Sequence, residues 1–438
     1  MKKYLLSAIL FFSMAPLAQS QAIWPIEHLK EMKQQLNRPF YARSYERLLV
    51  KADKLLNATP ISVTQKPMDT PNGDKHNYMS LSRYYWPDPN KPDGLPYINH
   101  DGKSNPELNK YDRGRLGETC NRITTLALAW YLSGKESYAQ KATELIRVWF
   151  FDKDTYMKPN LDYAQFIPGV NDNKGRSSGV LDGYSFVEML DGVSLLETSK
   201  SFTKKDSKQL KQWFTQFMQW MLTSKQGIGE GNGTNNHAVA YDAQVLAYAI
   251  YTGNKAVSER VIKEFPARRT FTQIEPDGRQ PRELARTLAF GYSTYNMTHF
   301  IDIYMMAMKQ GYRLDGKTST DGRSFYKAMD FLTPYVGKNV KSWPYKQISQ
   351  WEMRQQEFCE DLYKTGEYIN PDRKQYVQLF RNHRKMDFDN TFYLLYYNPT
   401  PEDDAMASAM EQLKFGIECA TNAQWEEQNA AKHLVTPR

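Results

Sequence analysis

The feature that most constrains this chain is a helical-hairpin pattern that recurs without a fixed period from about residue 110 onward. Asn121 to Leu132 carries Ile123, Leu126, Ala127 and Trp130 at the i, i+3, i+4, i+7 spacing of one buried helix face. Ser133-Gly134-Lys135 breaks the run, and Tyr138 to Phe151 resumes it with Ala142, Leu145, Ile146 and Trp149. Two helices joined by so short a turn form a helical hairpin. The layout returns at Ser194 to Leu222. It returns again at His237 to Tyr251, which Thr252-Gly253-Asn254 separates from Val257 to Phe265, and at Ile301 to Met308 followed by Phe325 to Leu332. Stacked hairpins of this kind predict an all-α fold, an incomplete α/α toroid or a solenoid that curls into one.

Three helix-poor stretches interrupt the pattern: Thr59 to Pro106, Asp152 to Arg176 and Gln273 to Pro281. They are rich in Pro, Gly, Asn and Tyr, and long loops on a helical scaffold are where sites usually sit. No low-complexity linker divides the interior, so one domain over 23–438 is expected. The preceding residues 1–22 read as a secretory signal: Lys2 and Lys3, an apolar run from Tyr4 to Phe12, then Ala18-Gln19-Ser20 or Ser20-Gln21-Ala22 as a small-x-small cleavage site. No Cys follows the apolar run, so no lipoprotein membrane anchor is expected, and a periplasmic or secreted monomer is.

Three cysteines, Cys120, Cys359 and Cys419, allow at most one bridge and show no metal-ligand spacing. Cys359 with Cys419 is the pairing the sequence favours. Lys and Arg outnumber Asp and Glu by 57 to 49. A basic exported protein suits an anionic partner. No dense Lys/Arg block or nucleic-acid module is present, so an anionic polysaccharide is expected rather than nucleic acid.

Two segments carry chemistry. Gly231 to Gln244 reads GNGTNNHAVAYDAQ, a Gly/Asn-rich loop that runs into a helix. Asn and Thr serve as N-caps there, which accounts for Thr234 and one Asn but not for a second Asn followed at once by His237. Helical spacing puts His237 and Tyr241 on one face and Asn236 about 100° away. Glu275 to His299 follows, with Arg282 and Arg286 one turn apart. Unbroken helix would place Arg286 and Tyr292 about 240° apart, and a break at Gly291 would bring both toward one cleft. A solvated Arg286, or one paired with Glu283, and a core tyrosine stand as the alternatives.

NNHAVAYDAQ followed by QPRELARTLAFGYS resembles the alginate-lyase-type domain of exported bacterial polysaccharide lyases. So do YMSLSRYYWPDPNKPDGLPYINHDG (Tyr78 to Gly102) and PNLDYAQFIPG (Pro159 to Gly169), in the same order. The resemblance implies an incomplete α/α toroid with a cleft across one end. It places the family's Asn-His pair on Asn236 and His237 and its arginine on Arg286. In polysaccharide lyase family 5 the tyrosine falls seven residues after that arginine, at Ser293 here. This chain has Tyr292 instead, which is closer to polysaccharide lyase family 38, whose members include glucuronan lyases. Tyr295 is the fallback.

The reaction so implied is β-elimination at C5 of a uronate, with no cofactor or metal. Asn236, His237 and Arg286 would neutralise the carboxylate. Tyr292, its pKa lowered by Arg286, would act as base and acid in a syn elimination, with His237 taking one role on α-L-guluronate. Arg83, Tyr84, Tyr85 and Trp86 form an aromatic, basic loop that is either a substrate wall or a packed loop. Asn160 and Gln165 match cleft-facing polar positions of the family, and Tyr241 and Arg282 complete the candidate binding set. Glucuronan precedes mannuronate-rich alginate as the expected substrate. An α/α-barrel glycoside hydrolase, drawing on Asp162, Asp172, Asp182 or Asp242, and a non-catalytic glycan-binding protein are the rivals.

Overall fold

Helical hairpins dominate the computed structural model, which describes residues 22–410 and 412. The signal-like segment, apart from Ala22, and Cys419 lie outside them. The chain divides into two compact units. One comprises residues 59–358 with Ala22 and Ile23, and the other comprises Trp24–Ala58 with the described residues from Cys359 onward.

In the larger unit the predicted hairpins are present with longer helices. Asp112–Ser133 starts nine residues before the periodic run and ends at Gly134, whose φ of 71° is the left-handed C-cap. Glu136–Phe150 packs back on it. The expected Ser194 to Leu222 element is two helices, Ser185–Leu196 and Lys204–Thr223, because Thr203 and Asp206 form a capping box that starts the second one afresh. Phe150, Phe186, Trp213, Phe214 and Phe217 interlock edge-to-face between these helices.

The helix Asn236–Thr252 lies at the centre and packs against Lys204–Thr223, Lys255–Phe265 and Ala289–Lys309. Of its 17 residues, only His237 and Thr252 escape burial. A helix apolar on all sides belongs in a core, so a half-buried histidine at its N-terminus marks where that core meets a cavity.

The loop stretches hold short strands that periodicity does not reveal. Met79–Leu81 pairs in parallel with Tyr163–Phe166, and the register shifts between them. Gln165 sits in this irregularity with φ of 49°. Tyr85–Trp86 pairs antiparallel with Ile98–Asn99 as a hairpin.

The smaller unit has its own aromatic core around Phe40, Phe380, Tyr393 and Tyr397. In the same unit Arg38 pairs with Asp404 at 2.7 Å. Among the described residues, no helix is long and apolar enough to cross a membrane.

Candidate active site

One cavity of about 270 Å³ gathers the residues singled out by sequence. Asn236, His237, Arg286, Tyr292, Tyr295, Arg83, Tyr84, Tyr85 and Gln165 all line it.

The loop that delivers Asn236 and His237 is held by a buried ion pair. Arg269 grips Asp242 through Nε at 2.7 Å and Nη2 at 3.0 Å, and donates to the carbonyls of Gly231 and Gly233. The helix start is capped differently from expectation. Asn235 occupies the N-cap without a side-chain bond. Glu283 caps instead, accepting from Asn236 N at 2.7 Å and Asn236 Nδ2 at 2.6 Å. A carboxylate at a helix N-terminus satisfies orphan N–H groups and complements the helix dipole. One amide N–H of Asn236 is thereby committed to protein. Burial pushes the Glu283 carboxyl above its ordinary value against these bonds.

His237 is fixed by Glu230, with Nδ1 2.7 Å from Oε1. The carboxylate selects the Nδ1–H tautomer of the neutral ring, so Nε2 is the nitrogen left for chemistry.

Arg286 and Tyr292 meet because the helix breaks earlier than expected. Pro281–Leu284 ends before Arg286, and Ala289–Lys309 begins after Leu288, so the break falls at 285–288 and Gly291 lies within a helix. Gly291 has another role: a Cβ there would come 3.1 Å from Cγ of Arg354, which lies against that face. Arg286 Nη2 donates to Tyr292 Oη at 2.8 Å, and its guanidinium carbon sits 3.8 Å from the ring centroid. Its partner is Asp101, not Glu283: Nη2 reaches Oδ1 at 2.5 Å and Nε reaches Oδ2 at 3.3 Å.

Tyr84 Oη lies 2.8 Å from Tyr292 Oη. Burial and Tyr84 hold the Tyr292 phenol well above its usual value, and Arg286 pulls it down only in part. The expected lowering is therefore corrected: desolvation outweighs the cation, and the resting phenol is neutral. Tyr295 is pushed to about 12 by burial, opposed by Arg113, Arg83 and Arg354. Ser293 is buried in the core, while Tyr292 and Tyr295 both line the cavity.

Gln165 is locked as a wall. Its N–H donates to Ser80 Oγ at 2.8 Å, its carbonyl accepts from Ser82 Oγ, and its Nε2 donates to Asp182 at 2.9 Å.

Four expected binding residues are placed elsewhere. Tyr241 is a core side chain whose hydroxyl donates to the Met221 carbonyl at 3.1 Å. His237, one turn earlier on the same helix, reaches the cavity while Tyr241 does not. Trp86 donates to the Lys103 carbonyl at 3.0 Å and braces its own loop. Asn160 accepts from the Asp162 N–H at 3.2 Å as a turn residue. Arg282 is exposed to solvent, because the short helix ends before it can share a face with Arg286.

Sequence reasoning missed Asp101, Arg113, Arg176 and Arg354 in the lining, and Glu230 and Glu283 behind it. Asp101 and Glu230 lie within or beside the singled-out strings, where an acid next to a predicted base or cation was the available signal. Arg354 sits on the helix Trp351–Lys364, far from any motif.

Comparison with known proteins identifies the family and the fold. The family model described as alginate lyase matches residues 62–343. A crystal structure of an alginate lyase from Bacteroides ovatus is 46% identical, with a TM-score of 0.85, covering 87% of this chain and 100% of that one. Alginate lyase A1-III from Sphingomonas species A1 is 13% identical with a TM-score of 0.50, covering 82% and 97%. A variant of A1-III complexed with a tetrasaccharide is 14% identical with a TM-score of 0.52, covering 83% and 97%. The A1-III likenesses bear on the fold alone, an all-α fold of the incomplete α/α toroid class. No curated protein matches the chain. With a family model spanning most of its length and a relative matched end to end, the chain belongs to the alginate lyase family and is a polysaccharide lyase.

Proposed function

We propose that this polysaccharide lyase cleaves β-1,4-linked uronic-acid polymers by β-elimination at the cavity that holds Tyr292, Arg286 and His237. The observation that carries this is the Tyr292 hydroxyl, placed 2.8 Å from both Arg286 Nη2 and Tyr84 Oη, in a cavity shared with the Glu230-held His237. The 46% identity to a Bacteroides ovatus alginate lyase moves alginate ahead of glucuronan as first substrate.

The C5 proton of a uronate is weakly acidic because its loss builds a second charge on an existing carboxylate. Donors must therefore be preorganised around that group. Arg286 keeps Nη1 outside its bonds to Asp101 and Tyr292. The second amide N–H of Asn236 and the ring of His237 would add to it. On mannuronate and glucuronate the proton and O4 lie on one side. Tyr292 as phenolate then takes the proton and, as phenol, returns one to O4. On guluronate they lie on opposite faces, so His237 Nε2 takes the proton while neutral Tyr292 donates.

The signal-like N-terminus supports export to the periplasm or beyond. Fractionation of the producing cells tests this.

The function is tested by incubation with polymannuronate, polyguluronate and polyglucuronate, following absorbance of the new C4–C5 double bond. Tyr292→Phe is expected to abolish that signal while substrate binding and thermal unfolding stay near wild type. Retained activity there, with loss in Tyr295→Phe, would transfer the role to Tyr295.

A further inference from the structure

Asp101 accepts four hydrogen bonds at one place. Arg286 donates through Nε and Nη2, and Thr287 through its backbone N at 3.2 Å and Oγ1 at 2.9 Å. Asp101 lies two residues after the end of the strand Ile98–Asn99, whose partner Tyr85–Trp86 is preceded by Tyr84. The same carboxylate therefore pins the hairpin that carries Tyr84 to the helix break that carries Arg286. The approach is close: a Cβ on Gly102, at φ of 82°, would meet Thr287 Oγ1 at 2.7 Å and Ile348 at 2.9 Å. A larger residue after Asp101 would be strained at that φ and would push the Thr287 and Ile348 side chains aside. Burial opposes ionisation of Asp101, but its bonds to Arg286 and Thr287 outweigh it and hold the carboxyl below its ordinary value. The clamp is charged at neutral pH.

We propose that Asp101 is a positioning residue for the elimination: it sets where Arg286 and Tyr84 meet the Tyr292 hydroxyl, and its charge restrains that hydroxyl from ionising. The inference rests on the lyase reading above. The charges around Tyr292 make the second half testable. Asp101 and Tyr84 face it from the hairpin, Arg286 from the helix break, His237 from the central helix, Arg113 from Asp112–Ser133 and Arg354 from Trp351–Lys364. Among these side chains Asp101 is the only carboxylate, and one guanidinium nitrogen separates it from the phenol oxygen. Removing one negative charge about 5 Å away, at an effective dielectric of about 50 for this solvent-open cavity, lowers a phenol pKa by about one unit.

The experiment compares the pH dependence of kcat/KM on polymannuronate for wild type, Asp101→Asn, Asp101→Glu and Thr287→Val. In Asp101→Asn the rising limb moves to lower pH by about one unit. Thr287→Val removes one bond but keeps the charge, and its limb stays with wild type. Asp101→Glu keeps the charge on a longer arm, so its limb stays in place while kcat falls about tenfold or more. A folded Asp101→Asn whose limb superposes on wild type overturns the tuning. Asp101→Glu at wild-type kcat overturns the positioning, and stands even if Asp101→Asn does not fold. An inactive wild type, or a fully active Tyr292→Phe, overturns the lyase reading together with this one. An active wild type with unmoved variants overturns this inference alone.

Discussion

Arg286→Lys isolates what the guanidinium fork contributes beyond its charge. Arg286 makes three kinds of contact at once: two bonds to Asp101, one to Tyr292 Oη at 2.8 Å, and a face-on approach to the Tyr292 ring at 3.8 Å. A lysine ammonium is a compact point charge without a planar fork, and it cannot hold all three in fixed geometry. Losing a charge-assisted hydrogen bond costs about 1.5–3 kcal/mol, and a partly buried cation–π contact adds roughly 1 kcal/mol. Lysine's own charge recovers some of this, leaving about 2–4 kcal/mol lost in the transition state. At about 1.4 kcal/mol per decade, that is a fall in kcat of roughly 30- to 1000-fold. Initial rates of double-bond absorbance on saturating polymannuronate measure it, with thermal unfolding as the check on fold. A folded Arg286→Lys within about threefold of wild-type kcat would refute the idea that the fork places the phenol.

The neutral resting phenol of Tyr292 fixes the sign of the pH dependence. Its base form is the minority species, so kcat/KM on polymannuronate rises about tenfold per pH unit from about pH 6 to 9, and a flat profile contradicts a Tyr292 base. Glu230→Gln keeps an acceptor for His237 Nδ1 but removes the charge. We expect a fall of about 10- to 100-fold on polyguluronate and a smaller one on polymannuronate, read by the same absorbance assay. Asp242→Asn leaves the buried Arg269 without its counter-ion, which costs about 3–5 kcal/mol by urea unfolding and loosens the loop that delivers His237.

How much of this was legible in the sequence follows from what each feature depends on. The helices at Asn236–Thr252 and Phe325–Leu332 were readable almost to the residue, because they bury periodic apolar faces between strong end signals. Asp112–Ser133 was readable only in its second half. Its first turns, DRGRLGETC, are polar, and packing rather than pattern makes them helical. The strands Met79–Leu81 and Tyr163–Phe166 are too short to show alternation, and their parallel pairing joins segments far apart in the chain. Asn236, His237, Arg286 and Tyr292 were legible as strings, but the contacts that give them chemistry were not. Asp101 meets Arg286 across 185 positions and Glu283 meets Asn236 across 47, and no local pattern encodes either.

The cavity's charge also decides between the rival chemistries. A glycoside hydrolase of the common kind needs two carboxyl groups on either side of one sugar bond. The lining offers one, Asp101, already bound to Arg286 and Thr287. The other acids named from sequence are engaged or remote. Asp242 holds Arg269, Asp162 accepts from Trp220, Asp182 accepts from Tyr78, Ser80 and Gln165, and Asp172 is exposed outside the lining. Against that single acid stand Arg83, Arg113, Arg176, Arg286 and Arg354. Such a lining would oppose the oxocarbenium-like positive charge that hydrolysis develops, and it favours the doubly negative centre that C5 proton loss develops. A protein that only bound uronans would also be well served by arginines. It would gain nothing from a phenol held between a cation and a second phenol, beside an imidazole with one nitrogen tied to a buried carboxylate. Those groups are suited to proton transfer, and their presence among the arginines favours the proposed lyase site over a binding groove.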